Sequence, residues 1–354
     1  MRRSSFCATL GVLVLTSLLI PGKAQQPATN VAPNAAPASD VVIGSGNFSP
    51  IVWDLERSLR FYSDLMGSPV PATIPAWTTD PALLNFLAAP TGQVRFGSVR
   101  IPGSTMSVEI VEYKDVPRTP LRYRLQDPGA VRLILTVRSL DSLLDRLRRQ
   151  GVPVVTIGGV PLTVRNHNAG RTVMIQDPDG FYIQLIQPNV LPETTALATS
   201  NVIGASFGLT INDTDQTMKI YRDLFGFKAE IESIFTADKT VADLMNTPGA
   251  QVRRSVAKIP GSAVEVEFLE FKGVDRKPIG ARIQDPGATR FQLRVRDADM
   301  AVKTLVANGG TVVTTGGDGG PILMSGLRVA IVREPNNLFL VVMTSVPRPA
   351  RGTQ

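Results

Sequence analysis

The 354-residue sequence has a single cysteine, Cys7, and a single histidine, His167. One cysteine cannot form an internal disulfide, and one cysteine with one histidine cannot form a Cys/His zinc cluster. A non-haem iron site with two histidines and one carboxylate is likewise excluded for a single chain. A Ser-His or Cys-His hydrolase would have to use His167, whose polar surroundings are typical of an exposed loop.

The first 24 residues predict an export signal. Arg2 and Arg3 precede an apolar run from about Cys7 to Ile20, and small residues follow up to Ala24. This run is shorter than the roughly 20 apolar residues of a membrane-spanning helix. We therefore expect cleavage near Ala24 and a periplasmic or extracellular protein, with an uncleaved N-terminal anchor as the alternative.

Cleavage would leave a weakly basic chain without cysteine. It removes three basic residues and no acidic residue, so the formal net charge falls from +7 to +4. The sequence has no block of five or more Lys and Arg residues, so we expect no nucleic-acid partner. No later apolar run approaches membrane-spanning length, so we expect no membrane contact after signal removal. Residues 25–40 are rich in Ala, Pro, Asn and Gln and predict a disordered linker.

The rest of the chain contains the same unit twice. The segment Ile101–Ser104 returns as Ile259–Ser262, and Asp127-Pro128-Gly129 returns as Asp285-Pro286-Gly287, both after 158 residues. A repeat at a constant offset indicates duplicated structure. We predict one domain over 42–188, a second over 200–345 and a short tail over 346–354.

Each half divides into two similar modules. Asp54 is a candidate N-cap for a helix that ends at Gly67, and Ser139 precedes a leucine-rich helix that ends at Gly151. β-prone runs surround both helices, and the second half repeats this order after Asp213. The sequence therefore predicts an α+β fold of four βαβββ modules.

Several short segments recur in the order of a known family. They are Asp54–Ser58 with Phe61-Tyr62, Asp64–Gly67, Asp177–Leu185, Leu224–Phe227 after Tyr221, and Glu334–Asn337. This order resembles the vicinal oxygen chelate superfamily, which includes glyoxalase I, bleomycin-resistance proteins and extradiol dioxygenases. The resemblance implies that the two modules of each half pair into a curved, eight-stranded mixed sheet around a cavity. Because one chain would complete both cavities, an oligomer is not required.

In metal-using members of this superfamily, strands of each paired module hold a divalent ion through His, Gln or Glu. The matching positions are Asn47, Glu109, Arg132 and Gln184 in the first half, and Ser206, Glu267, Arg290 and Val341 in the second. Each half thus keeps one acid and has arginine where histidine is common. Arginine has no lone pair to donate and stays charged, so we expect no metal cofactor.

We expect instead that Arg132 pairs with Glu109, and that Arg290 pairs with Glu267, in the space of the lost ion. Two alternatives remain open. A strand register shifted by one residue would turn the arginines to solvent, or Asn47, Gln184 and Glu109 would hold a metal loosely. Glu112 and Glu270 fall on the opposite strand face and are expected to be solvated.

Three functions are compatible with these residues. The first, which we favour, is an exported protein that binds a small organic molecule in its cavities. The second is a divalent-metal-dependent lyase or isomerase of the glyoxalase type; a dioxygenase is less favoured because its iron needs two histidines. The third is a structural protein with filled cavities. No catalytic residue is assigned.

Overall fold

The computed structural model of the protein describes residues 41–165 and 169–346. The predicted export signal, the linker over 25–40, the tail from residue 347 and His167 lie outside these residues. Within them, no helix is long and apolar enough to cross a membrane.

Four modules follow one another along the chain. Module 1 comprises β1 (Val42–Val52), α1 (Leu55–Met66), α2 (Pro81–Phe86), β2 (Gln93–Arg100) and β3 (Ser107–Lys114). Module 2 comprises β4 (Val131–Val137), α3 (Leu140–Arg149), β5 (Leu162–Val164), β6 (Gly170–Gln176) and β7 (Tyr182–Pro188). Module 3 comprises β8 (Val202–Ile211), α4 (Thr214–Met218) with a π-helical continuation to Leu224, β9 (Lys228–Ile231), α5 (Lys239–Met245), β10 (Gln251–Lys258) and β11 (Glu265–Lys272). Module 4 comprises β12 (Thr289–Val295), α6 (Ala298–Ala307), β13 (Thr311–Val312), β14 (Ile322–Met324), β15 (Leu327–Arg333) and β16 (Phe339–Ser345).

The helix boundaries follow the local signals in the sequence. The carboxylate of Asp54 accepts a hydrogen bond from the Arg57 N–H, and α1 ends at Gly67 in the left-handed conformation, as predicted. Asp213 caps α4 in the same way through the Gln216 N–H. The leucines predicted on one face of α3 are all buried, so the helical spacing of apolar residues identified its packed side.

The strands form two eight-stranded mixed sheets, as predicted for the fold class. Sheet A combines modules 1 and 4, and sheet B combines modules 2 and 3. At the centre of sheet A, β1 lies antiparallel to β12, and at the centre of sheet B, β4 lies antiparallel to β8. The expected pairing of modules within each half of the chain is therefore wrong, because each sheet takes one module from each half.

The largest apolar core lies on the faces of the sheets that carry the helices. Phe207 of β8 stacks on Phe291 of β12 with 4.5 Å between ring centroids, and Phe48 of β1 contacts Phe207 at 5.7 Å. Successive strand residues point to opposite faces. The side chain of Arg290, next to Phe291, therefore points to the other, concave face, where Gly208, next to Phe207, leaves β8 without a side chain.

Glu112 and Glu270 are buried under helices, so their expected exposure to solvent is wrong. The carboxylate of Glu112 accepts a hydrogen bond from the Leu55 N–H, the first of α1, at 3.0 Å. The carboxylate of Glu270 accepts one from the Thr214 N–H of α4 at the same distance. An arginine of the neighbouring strand completes each site, because Arg95 and Arg253 pair with these acids. The alternation of side chains along each strand correctly predicted the sheet face of Glu112 and Glu270, but it did not predict the helix that covers that face.

Candidate functional site

The eight positions predicted as pocket residues form two groups, one on each sheet. Arg132, Gln184, Ser206 and Glu267 lie on β4, β7, β8 and β11 of sheet B. Asn47, Glu109, Arg290 and Val341 lie on β1, β3, β12 and β16 of sheet A. Each group draws on both halves of the chain, because the modules pair across the repeat.

The ion pairs consequently join different partners from those expected. Arg132 pairs with Glu267, and the Nη2 of Arg290 lies 3.9 Å from the Oε2 of Glu109. The expected pairs, Arg132 with Glu109 and Arg290 with Glu267, are wrong because those residues lie on different sheets. Both arginines are 1% exposed, which excludes the alternative in which they point to solvent.

Arg132 occupies the centre of the sheet B group. Its Nε donates to the Oε1 of Gln184 at 3.1 Å, and its Nη2 donates to the Oε2 of Glu267. The Nε2 of Gln184 donates to the Oγ1 of Thr172 at 3.2 Å, which fixes the orientation of the amide. Burial lowers the pKa of Arg132, while the adjacent carboxylate of Glu267 opposes that change.

A second arginine, which the sequence reading missed, completes this site. Arg254 of β10 donates from its Nε to the Oε1 of Glu267, so each oxygen of this carboxylate receives a different guanidinium. The charges of Arg132 and Arg254 lower the pKa of Glu267 against the opposing effect of its burial. The sequence contains one signal for Arg254. The first half has Phe96 at the matching position, 158 residues earlier, so this arginine occurs in only one of the two repeats.

Gly208 of β8 leaves the space through which Arg132 reaches Glu267. A Cβ at residue 208 would lie 2.5 Å from the Arg132 Cζ and 2.7 Å from its Cγ. Gly208 pairs directly with Arg132 on one side and with Glu267 on the other. The guanidinium therefore crosses the sheet over a residue that has no side chain.

We expect Gly208→Ala to lower the free energy of unfolding by about 1–3 kcal/mol, because the added methyl group overpacks the buried arginine. Urea denaturation followed by circular dichroism measures this change. Gly204→Ala on the same strand is the matched control, since its nearest atoms, in Thr136, lie 3.9 Å away. Equal losses in the two variants would contradict the steric role of Gly208.

The sheet A group has a different arrangement around its acid. The Oε2 of Glu109 accepts hydrogen bonds from the Ser49 Oγ and the Gln292 Nε2, both at 2.7 Å. Ser49 and Gln292 stand where sheet B has Gly208 and Ile134, so two neutral donors replace the close guanidinium contact. The Nε and Nη2 of Arg290 are buried and have no hydrogen-bond partner among the described residues.

The two remaining positions of sheet A, Asn47 and Val341, are both engaged by neighbouring residues. The Oδ1 of Asn47 accepts a hydrogen bond from the Ser107 N–H at 3.1 Å. Val341 is buried in an apolar cluster that also contains Ile331 of β15 and Leu84 and Phe86 of α2. Apolar side chains therefore fill much of this concave face.

The concave face of sheet B instead lines a cavity of about 760 Å³. Gln184, Ser206, Arg254 and Glu267 lie on its wall. Its other walls are largely aliphatic, with residues such as Ile134, Ile186, Val241, Val256 and Leu269. A volume of several hundred Å³ with a few converging polar groups is typical of a small-molecule site.

The residues at these positions do not fit a divalent metal ion. In sheet B, arginines engage both oxygens of Glu267 and the Oε1 of Gln184. Among the four predicted positions, this leaves only the neutral hydroxyl of Ser206 as a metal ligand. In sheet A, Glu109 is engaged by neutral donors and Val341 has no donor atom. Among residues 41–165 and 169–346, no three His, Cys, Asp or Glu side chains are grouped to hold a metal ion. Buried guanidinium groups also repel a cation.

Comparisons with known proteins agree with this architecture. A model of the Glyoxalase/Bleomycin resistance protein/Dioxygenase superfamily matches residues 48–185 and 204–339. Glyoxalase I from Zea mays has a similar structure, with a TM-score of 0.52 and 13% identity over 86% of this chain and 92% of that chain. A putative dioxygenase from Bacillus subtilis gives a TM-score of 0.50 and 14% identity over 89% and 88% of the respective chains. Identities this low establish a shared fold only. No curated protein sequence matches the chain.

Proposed function

This chain belongs to the Glyoxalase/Bleomycin resistance protein/Dioxygenase superfamily, and on that premise we propose that it is an exported protein that binds a small organic molecule without a metal. The binding site is the cavity of sheet B, and both concave sites are degenerate metal sites. One chain supplies every strand of each sheet, so binding does not require an oligomer.

The observation that carries this proposal is the position of the Arg132 guanidinium. It lies between Gln184 and Glu267, two of the positions at which metal-using relatives hold their ion, and it is 1% exposed. A fixed positive charge there neutralises the acid that a metal would otherwise neutralise. The adjoining cavity of about 760 Å³ stays available for a ligand.

Metal analysis and a ligand screen test this function together. We expect elemental analysis of the purified mature protein to find divalent metals well below one per chain after dialysis. We also expect small organic molecules to raise the melting temperature equally with and without added divalent metal. A ligand at 100 times its dissociation constant stabilises the folded state by about 2.7 kcal/mol.

Stoichiometric nickel, zinc, manganese or iron that survives dialysis would overturn the proposal and favour a metal-dependent lyase or isomerase. Export is tested separately by mass spectrometry of the secreted or periplasmic protein. We expect an N-terminus near residue 25, because small residues precede that position. A chain that retains residues 1–24 would indicate a membrane anchor.

A further inference from the structure

At the polar centre of the sheet B cavity, two arginines share one acid. Two guanidinium groups, of Arg132 and Arg254, share the single carboxylate of Glu267. The Nη1 of Arg132 is buried and has no hydrogen-bond partner in the described part of the chain. The side chain of Arg254 is 22% exposed and lies on the cavity wall. Only the Nε of Arg254 donates to Glu267, so an anionic ligand would pair with the rest of this guanidinium in a partly desolvated site.

The other charged side chains on the cavity wall are already engaged. Arg171 is bound by the carboxylate of Asp141 through two hydrogen bonds, of 2.6 and 2.8 Å. Lys239 pairs with Asp243, and Glu265 lies 3.8 Å from Lys258. The carboxylate of Asp238 accepts two backbone N–H groups at the start of α5, and that of Glu232 accepts the Arg254 N–H. Arg254 is therefore the cation best placed to receive a ligand.

Sheet A provides an internal comparison. Its acid, Glu109, is bound by two neutral side chains, and its arginine, Arg290, stands 3.9 Å away. In sheet A, Phe96 stands at the position that corresponds to Arg254 of sheet B. The acid of sheet A therefore faces a single arginine. The second positive charge is thus specific to sheet B, whose concave face lines the cavity of about 760 Å³.

Away from these polar and charged groups, much of the cavity wall is aliphatic. No aromatic ring is among the described residues on its wall, and apolar side chains such as Ile134, Val256 and Leu269 line it. A flexible hydrocarbon chain suits such a wall, because burial of apolar surface is favourable and needs no stacking partner. The hydroxyl of Ser206 lies on the same wall as Arg254 and offers a further polar contact.

We infer that the sheet B cavity binds an aliphatic carboxylic acid, with the carboxylate on Arg254 and the hydrocarbon chain against the aliphatic wall. This inference rests on the proposed function and specifies its ligand class. We expect one ligand per chain, because the sheet A site lacks the second arginine.

Octanoate and its uncharged analogue octanamide are the probes, and isothermal titration calorimetry of the mature protein at pH 7 is the measurement. We expect one octanoate per chain, bound about 10- to 100-fold more tightly than octanamide, since a charge-assisted hydrogen bond is lost in the amide. Arg254→Gln should weaken octanoate by a similar factor and leave octanamide unchanged. Arg254→Lys should restore part of the affinity, because it keeps the charge.

Arg171→Gln is the matched control, since this arginine lines the same cavity but is already bound by Asp141. It should change octanoate affinity less than about threefold. Melting curves of each variant verify folding. Equal binding of octanoate and octanamide, with no effect of Arg254→Gln, would overturn the anionic ligand class and leave the binding function intact. Failure of both probes would overturn the aliphatic acid inference, whereas the binding function itself is tested separately by the metal analysis and the broader ligand screen.

Discussion

Glu267→Ala is expected to lower the free energy of unfolding by about 3–5 kcal/mol, because it leaves a buried positive charge without its partner. Arg132 is 1% exposed and retains only the Gln184 amide after this change. A guanidinium does not escape the cost by releasing its proton at ordinary pH. Urea denaturation at pH 7, followed by circular dichroism, measures the loss.

Glu109→Ala is the matched control in sheet A. Glu109 is 28% exposed, and its arginine lies 3.9 Å away, so its removal breaks two neutral hydrogen bonds and an ion pair that is longer and more exposed than that of Glu267. We expect a loss of about 1–2 kcal/mol. The double variant Arg132→Met with Glu267→Leu should regain most of the stability lost in Glu267→Ala, since apolar residues of similar size replace buried ion pairs well. A larger loss for Glu109→Ala than for Glu267→Ala would contradict the central role assigned to Arg132.

The stability of the protein is also expected to fall between about pH 5 and pH 8. Burial raises the pKa of Asp177 to about 7, and the nearby carboxylate of Asp179 adds to this effect. Burial likewise raises the pKa of Glu334 to about 7. A carboxyl whose pKa is raised by folding stabilises the folded state in its protonated form. That contribution is complete below about pH 4 and is lost as the pH rises through about 7.

Each carboxyl contributes about 3 kcal/mol to the fall from pH 5 to pH 8, because about two pH units lie between pH 5 and the folded-state pKa and each is worth about 1.4 kcal/mol. A loss of stability on acidification begins only at lower pH. It comes from carboxylates with lowered pKa values, which stabilise the folded state while they are ionised: Asp127, Asp285 and Glu267. Urea denaturation at four pH values from 5 to 8 measures the slope.

Asp177→Asn and Glu334→Gln should each flatten this slope, because an amide mimics the protonated carboxyl at every pH. Asp177→Asn should also be at least as stable as the wild type at pH 8, and its amide can still face the Tyr62 hydroxyl, which lies 2.9 Å from the Asp177 Oδ2. A wild-type stability that rises from pH 5 to pH 8 would contradict the raised pKa values.

The sequence identified most residues of the site but did not predict which of them contact one another. Arg132 and Glu267 were both identified as pocket residues, yet each was assigned to the wrong partner. The repeat explains this error, because Glu109 and Glu267 occupy equivalent positions in similar segments. Arg254 escaped notice because its significance depends on a carboxylate that only the folded sheet brings beside it.

The sequence by itself determined the four modules, the aspartate caps of α1 and α4 and the strand faces that carry the pocket residues. These features depend on contacts within a few residues, which composition and periodicity encode directly. Only the tertiary structure decided that module 1 pairs with module 4 and module 2 with module 3. The central strands of all four modules offer similar backbone hydrogen bonds, so their choice of partner depends on packing between distant segments, such as the stacking of Phe207 on Phe291. The same pairing of modules brings Arg254 beside Glu267 and leaves a cavity next to this pair.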